Sequence, residues 1–226
     1  MIPWETLDTV AVPGDGGEMR LMRRGHEYVI RLGPIVLMGS RTGGSEEALA
    51  RLGCAGLDAA ERPRVLIGGL GMGFTLRATL ALLGPHAAVT VAELVPAVVA
   101  WGRGPLSAVH AGSLDDPRVT VHEGDVGRLM RAASGPGRFD AILLDVDNGP
   151  DGLTRAGNDA LYDARGLAAA RDALRPGGRL AVWSSEPDDR FTARLKRAGF
   201  AVAVETPRAH GKRGIRHVVW VATRGG

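Results

Sequence analysis

Four polar features of this chain each follow a short apolar run, and together they could hold a nucleotide. Val65 to Gly68 runs into Gly69-Leu70-Gly71-Met72-Gly73. Glycine has no Cβ, so such a turn bends tightly and lets the backbone approach a ligand. Phe74 to Leu83 can follow as a helix, whose start offers free N–H groups and the positive end of a dipole. Val89 to Ala92 ends in Glu93, a carboxylate able to accept hydrogen bonds from both hydroxyls of a ribose. Val119 to His122 precedes Gly124-Asp125, and Phe139 to Leu144 precedes Asp145-Val146-Asp147-Asn148. An aspartate at a strand end can orient an acceptor and take up its proton. Taken singly, a glycine turn can simply pack a helix on a strand, and a strand-end acid is often a solvated cap. Four in register at successive strand ends are harder to explain as capping alone.

The elements that must position them alternate. From Arg64 onward the pattern is strand then helix, with further strands at Arg179 to Trp183, Phe200 to Glu205 and His217 to Ala222. Pro96 opens one helix near its first turn, and Asp125 can cap another that runs to Ala133. A long Ala-rich helix is expected from Asp159 to Leu174, stopped by Pro176-Gly177-Gly178, and a last one from Phe191 to Arg197. Repeated strand–helix units imply an α/β fold with a parallel sheet and helices on both faces. Ligands on such sheets sit at the carboxyl ends of the strands. Residues 1–43 read instead as a β-rich extension, with short runs broken at Gly25 and Gly33-Pro34, and 44–226 as the main domain. Ser45 is expected to cap a helix starting at Glu46-Glu47. Those two acids suit a helix dipole; the functional alternative is a carboxylate facing the substrate mouth.

Composition narrows the classes. The chain has 226 residues, 45% hydrophobic and 23% charged, as ordinary globular proteins are, and long enough for one well-buried core. Its net charge is +3, but the arginines are scattered among acids, so no nucleic-acid face is expected. The single cysteine, Cys54, cannot form an internal disulfide and reads as a small apolar helix residue in a reducing, cytoplasmic setting. No apolar run is long enough to span a membrane.

The pattern from about residue 64 onward resembles the class I S-adenosylmethionine-dependent methyltransferases, a Rossmann-like fold with a seven-stranded, mostly parallel sheet. The matching motifs are Ile67-Gly68-Gly69-Leu70-Gly71-Met72-Gly73, Glu93, Gly124-Asp125, Leu144-Asp145 and Leu174-Arg175-Pro176-Gly177-Gly178. The resemblance implies that Gly69, Leu70, Gly71, Met72 and Gly73 approach the methionine part of the cofactor. It also implies that Glu93 with Leu94 holds the ribose, and that Gly124, Asp125 and Val126 meet the adenine. Within that superfamily the chain is most similar to the spermidine synthase group, through Asp116-Pro117-Arg118-Val119, Phe139-Asp140-Ala141-Ile142-Leu143-Leu144-Asp145 and Leu161-Tyr162. In that group an aspartate at the place of Asp145 lies beside the attacking amine.

Three departures shape the expected reaction. The polyamine enzymes carry an acid inside the glycine turn to hold the amine of decarboxylated S-adenosylmethionine; Leu70 and Gly71 stand at the candidate places. The loop after Leu144 has its second acid, Asp147, one place early. Gly44-Ser45-Glu46-Glu47 replaces a Tyr-His-Glu wording. The expectation is therefore a methyltransferase using S-adenosylmethionine on a small, amine-bearing acceptor. The alternative is an aminopropyltransferase using the decarboxylated cofactor; a non-catalytic cofactor-binding protein is more remote. An NAD-dependent oxidoreductase fits poorly, since the turn reads G-x-G-x-G rather than G-x-G-x-x-G. Asp145 and Asp147 are the expected catalytic carboxylates, with Asp151 adding to an acidic, cation-attracting mouth, and Tyr162 is expected to close over the acceptor. Asp145, Asp147 and Asn148 could be read as a metal site, but the two acids sit two apart on one loop without a further ligand, so no metal is expected. Relatives suggest a homodimer paired through the lead-in strands.

Overall fold

The computed structural model describes residues 2–14, 17–146, 160–210 and 213–226. Two sheets carry the fold. β1 (Glu5–Ala11), β2 (Glu18–Arg24), β3 (Glu27–Leu32) and β4 (Ile35–Gly39) form an antiparallel meander in chain order. β1 has no apolar run of its own and is exposed along most of its length. It forms as the edge partner of β2, in a ladder from Glu5 opposite Arg23 to Ala11 opposite Glu18.

After α1 (Gly44–Gly53) the chain alternates: β5 (Arg64–Gly68), α2 (Phe74–Leu82), β6 (Ala88–Glu93), α3 (Pro96–Arg103), α4 (Ser107–His110), β7 (Val119–Glu123), α5 (Val126–Ala132) and β8 (Phe139–Leu144). Next come α6 (Ala164–Ala173), β9 (Leu174–Ser184), α7 (Asp189–Arg197), β10 (Phe200–Glu205), a small ribbon of β11 (Arg208–His210) with β12 (Arg213–Arg216), and β13 (Val218–Arg224). The main sheet has the order β10-β13-β9-β8-β5-β6-β7. Five neighbouring strands from β9 to β7 run parallel, and β13 enters antiparallel to both β9 and β10. The expected Rossmann-like sheet and its β-rich N-terminal extension are both present.

Strand residues alternate between two cores. Val65, Ile67, Val89, Val91, Ala141 and Leu143 pack with Leu49 of α1, Leu76 and Leu80 of α2 and Val98 and Val99 of α3. Leu66, Ile142, Leu144, Leu180 and Val182 face the other way, onto Val126 and Met130 of α5, Leu167 and Ala170 of α6, and Phe191 and Leu195 of α7. Each aliphatic side chain buried this fully stabilises the fold by roughly 2 kcal/mol. Leu21 and Ile30 of the meander join the first core, so the small sheet is packed down beside the parallel strand ends. The indole Nε1 of Trp101 on α3 donates to Asp8 Oδ2 on β1 at 2.7 Å, a polar tie between the two layers.

Several local expectations need correction. Ser45 does not cap α1: Gly43 precedes the helix, and the Ser45 hydroxyl turns to Glu46 and His217 instead. The helix expected to run to Leu174 ends at Ala173 and is broken upstream at Asp163, whose carboxylate accepts from Gly166 N at 2.7 Å and so restarts the turn. Pro176-Gly177-Gly178 lies within β9 rather than stopping a helix, because Leu174 pairs with Phe139 and the ladder resumes past a register shift. Asp125 does cap α5, accepting from Gly127 N at 2.8 Å. Among the described residues no helix is long and apolar enough to cross a membrane.

Candidate functional site

The ends of β5, β6, β7 and β8 are held level by backbone contacts. Gly69 N donates to Ala92 O (2.9 Å), Gly124 N to Glu93 O (2.8 Å) and Asp145 N to Gly68 O (2.8 Å). This brings the glycine turn and the three acids to one rim of the sheet. A cavity of about 860 Å³, counted out to its mouth, opens there. Gly69, Gly71, Glu93, Leu94, Gly124, Asp125, Val126 and Asp145 all line it. Its opposite wall is apolar and comes from the N-terminal segment: Val12, Met19, Ile30, Leu32, Leu37 and Met38.

Two glycines of the turn both line the cavity and have a steric reason to be glycine. Gly69 adopts φ +91°, and a Cβ there would overlap the carbonyl of Asp145. Gly71 adopts φ +49°, and a Cβ there would overlap the thioether sulfur of Met38. The backbone at both points is the surface itself. Leu70 and Met72 point the other way, into the first core. Leu70 contributes through its amide, which donates to Glu93 Oε2 at 2.9 Å, and Gly73 precedes the first turn of α2.

Glu93 is buried, and Val95 N donates to its other oxygen, also at 2.9 Å. Burial raises its pKa, opposed by those amides. Each oxygen keeps a lone pair beyond the amide it already serves, so the carboxylate can still accept from two neighbouring hydroxyls. That acceptor, beside a turn that presents the Gly69 and Gly71 backbone to the cavity, fits an adenosine-type group. Asp125 is more open, with Arg131 at 3.2 Å.

Asp145 is the group whose chemistry is most altered. Burial pushes its carboxyl up to about 7; the charge of Glu46 adds to this, the Thr75 hydroxyl donating at 2.6 Å opposes it, and the charge of Glu93 contributes least. A carboxyl poised near neutral can pass a proton in either direction. Glu46 itself is raised by burial, against a hydrogen bond from Ser45. Among the described residues no Lys or Arg pairs with Glu46, Glu93 or Asp145.

Among the expected site residues that are described, Leu70, Met72, Gly73 and Tyr162 do not line the cavity. Tyr162 is buried in the second core, edge-on to Phe191 with ring centroids 5.5 Å apart; its neighbour Leu161 lines the cavity instead. An aromatic ring on that helical turn gains more from the apolar core than from the mouth. Asp147, with Asn148 and Asp151, lies outside the described residues. Thr75 went unrecognised in the sequence. Its signal was position, two residues past Gly73 in the first turn of a helix whose start faces β8. Among the described residues no group of His, Cys, Asp or Glu is placed to hold a metal ion.

No family model matches the chain. It is 37% identical over 145 residues to a polyamine aminopropyltransferase of Mycobacterium tuberculosis strain H37Rv, covering 61% of this chain and 27% of that protein. It is 36% identical over 125 residues to polyamine aminopropyltransferase 1 of Streptomyces coelicolor, covering 54% and 22%. The chain thus spans about a quarter of the length of these curated relatives. A spermidine synthase from Thermotoga maritima superposes with a TM-score of 0.75 at 20% identity, over 97% of this chain and 73% of that one. Another spermidine synthase, solved with the transition state analogue AdoDATO, gives 0.74 at 19%, over 97% and 72%. The fold is that of the spermidine synthases. These relatives also correct the expected reaction: they are aminopropyltransferases, so the preference for a methyltransferase falls. That preference rested on the missing acid at Leu70 and Gly71. An ammonium, however, needs a carboxylate near it in space rather than at one place in the sequence, and Asp145, at the end of β8, lies beside Gly69 of the turn and lines the cavity.

Proposed function

We propose that this protein is a spermidine synthase-like aminopropyltransferase that uses decarboxylated S-adenosylmethionine and an amine acceptor. The observation that carries the reading is Asp145, a carboxyl on the cavity wall displaced to about 7 beside a backbone-only turn. The similarity to polyamine aminopropyltransferases supports it from outside. When bound, the cofactor supplies a sulfonium-activated carbon, so the protein's work is alignment, desolvation and proton handling.

In this reading Glu93 holds the ribose hydroxyls, and Asp125 with Val126 frames the adenine. Gly69 and Gly71 let the chain pass close to the sulfur. Asp145 orients the acceptor nitrogen. Glu93 and Asp145, without a basic partner among the described residues, make the site attractive to an ammonium. The apolar wall from Ile30 to Met38 excludes water from the methylene chain. Calorimetric titration tests the reading: decarboxylated S-adenosylmethionine is expected to bind at least about tenfold more tightly than the carboxylated form, which places a second anion beside Asp145. Tighter binding of the carboxylated form contradicts it.

A further inference from the structure

Of the six methionines, all but Met1 fall within the described residues, and they differ in exposure. Met72 and Met130 are 2% and 1% exposed, one in each core, and Met19 is also buried. Met22 on β2 and Met38 on β4 are partly exposed. Of these two, Met38 lines the cavity and Met22 does not. A small reagent carried by water therefore reaches two described thioethers, and one of them stands in the wall of the site. Cys54 is buried and its thiol is pushed up to about 12, so it offers little thiolate to an oxidant.

The Met38 sulfur is pressed onto the glycine turn. A Cβ on Gly71 would overlap Sδ and come within 3.0 Å of Cε, so no free layer separates the thioether from the turn backbone. The rest of that wall is Val12, Met19, Ile30, Leu32 and Leu37, with no polar side chain to receive a new dipole. A thioether suits this place, being apolar and flexible. A sulfoxide does not: it adds an oxygen to an atom already in contact and turns an apolar group into a strongly polar one.

We propose that Met38 is an oxidation site through which a peroxide closes the cofactor cradle. The sulfur lone pair attacks one peroxide oxygen, the O–O bond breaks and an S–O bond forms. The second oxygen leaves as hydroxide and takes the proton of the transferred hydroxyl, giving water. Sulfur loses two electrons and the peroxide gains them. Two electrons from a dithiol reverse the change, yielding water and a disulfide. Directed at Gly71, the new oxygen displaces the turn. Directed into the cavity, it takes the ligand's space and sets a dipole among apolar neighbours, where an unpaired polar group is costly. The inference rests on the proposed function only for the choice of cofactor as probe.

Peroxide treatment of the full chain tests the site. After hydrogen peroxide, peptide mass mapping should show Met22 and Met38 each gaining one oxygen well before Met72 and Met130. Bound decarboxylated S-adenosylmethionine should slow the reaction at Met38 and leave that at Met22 unchanged. By calorimetry, the oxidised protein should bind this cofactor roughly tenfold to a hundredfold more weakly. Methionine sulfoxide reductase with a dithiol should restore the affinity. Met22→Leu should lose affinity on oxidation as wild type does, whereas Met38→Leu should hold its own affinity within about twofold after peroxide. Met38→Gln, a polar stand-in for the sulfoxide, should bind weakly with no oxidant. Unchanged affinity after Met38 is oxidised overturns the proposal. So does a loss of affinity that persists in Met38→Leu, or a Met38 that reacts no faster than Met72. Untreated protein that fails to bind the cofactor overturns the proposed function, and the proposal with it.

Discussion

The two walls of the cavity are built on opposite principles. One is the rim of the parallel sheet, where the backbone of Gly69 and Gly71 and the carboxylates of Glu93, Asp125 and Asp145 line the cavity. The other is the N-terminal meander, which offers Met19, Ile30, Leu32, Leu37 and Met38 and no charge. The rim concentrates buried like charges that weaken the fold at neutral pH. The meander offsets part of this with apolar burial, closing the site from above. Chemistry and enclosure are thus separate jobs, given to different segments.

Breaking the rim should have the larger effects. Asp145→Asn is expected to lower kcat by roughly a hundredfold or more, measured with the decarboxylated cofactor and a diamine. The same change should stabilise the protein. In the folded state Asp145 holds its proton up to about 7, well above an ordinary carboxyl. Its contribution is therefore fully present below the ordinary carboxyl range and lost as pH rises through about 7. Against wild type, the variant should gain roughly 2 kcal/mol at pH 8, less than half of that at pH 5 and little at pH 3 in denaturant titrations. Next in size is Gly69→Ala, whose Cβ meets the backbone carbonyl of Asp145, a neighbour that cannot swing aside. About 3 kcal/mol of destabilisation is expected, with loss of cofactor binding.

On the meander side, Met38→Ala should weaken cofactor or acceptor binding by roughly tenfold and leave the pH profile of kcat unmoved. A shifted profile would show that the two walls are not separate in function. The smallest effect lies away from both walls. Burial pushes the Cys54 thiol up to about 12, so native protein should resist alkylation at pH 8 until it is unfolded.

The rim was legible in the sequence because each polar residue directly follows the apolar run that places it. Glu93 ends β6, Asp145 follows β8, and strand periodicity alone brings them level. The meander wall was legible only as β-rich, because its cavity contacts arise from packing one sheet beside another. Glu46 and His217 come from different ends of the chain, and no local pattern announces that Ser45 lies between them. Tyr162 shows the converse, a residue drawn from the site by an apolar core that its sequence neighbours do not reveal. Asp116-Pro117-Arg118 carried the family likeness through structure rather than chemistry. Arg118 holds the Asp116 carboxyl down to about 2 and donates to the Leu80 and Leu83 carbonyls at the end of α2.

Product analysis separates aminopropyl transfer from methyl transfer. Purified protein is incubated with decarboxylated S-adenosylmethionine and a diamine, in parallel with S-adenosylmethionine and the same diamine, and the amine products are identified by mass. An aminopropyltransferase yields an aminopropylated amine and a thioether nucleoside from the first mixture, with the yield collapsing in Asp145→Asn. A methylated amine from the second mixture, with nothing from the first, would contradict aminopropyl transfer.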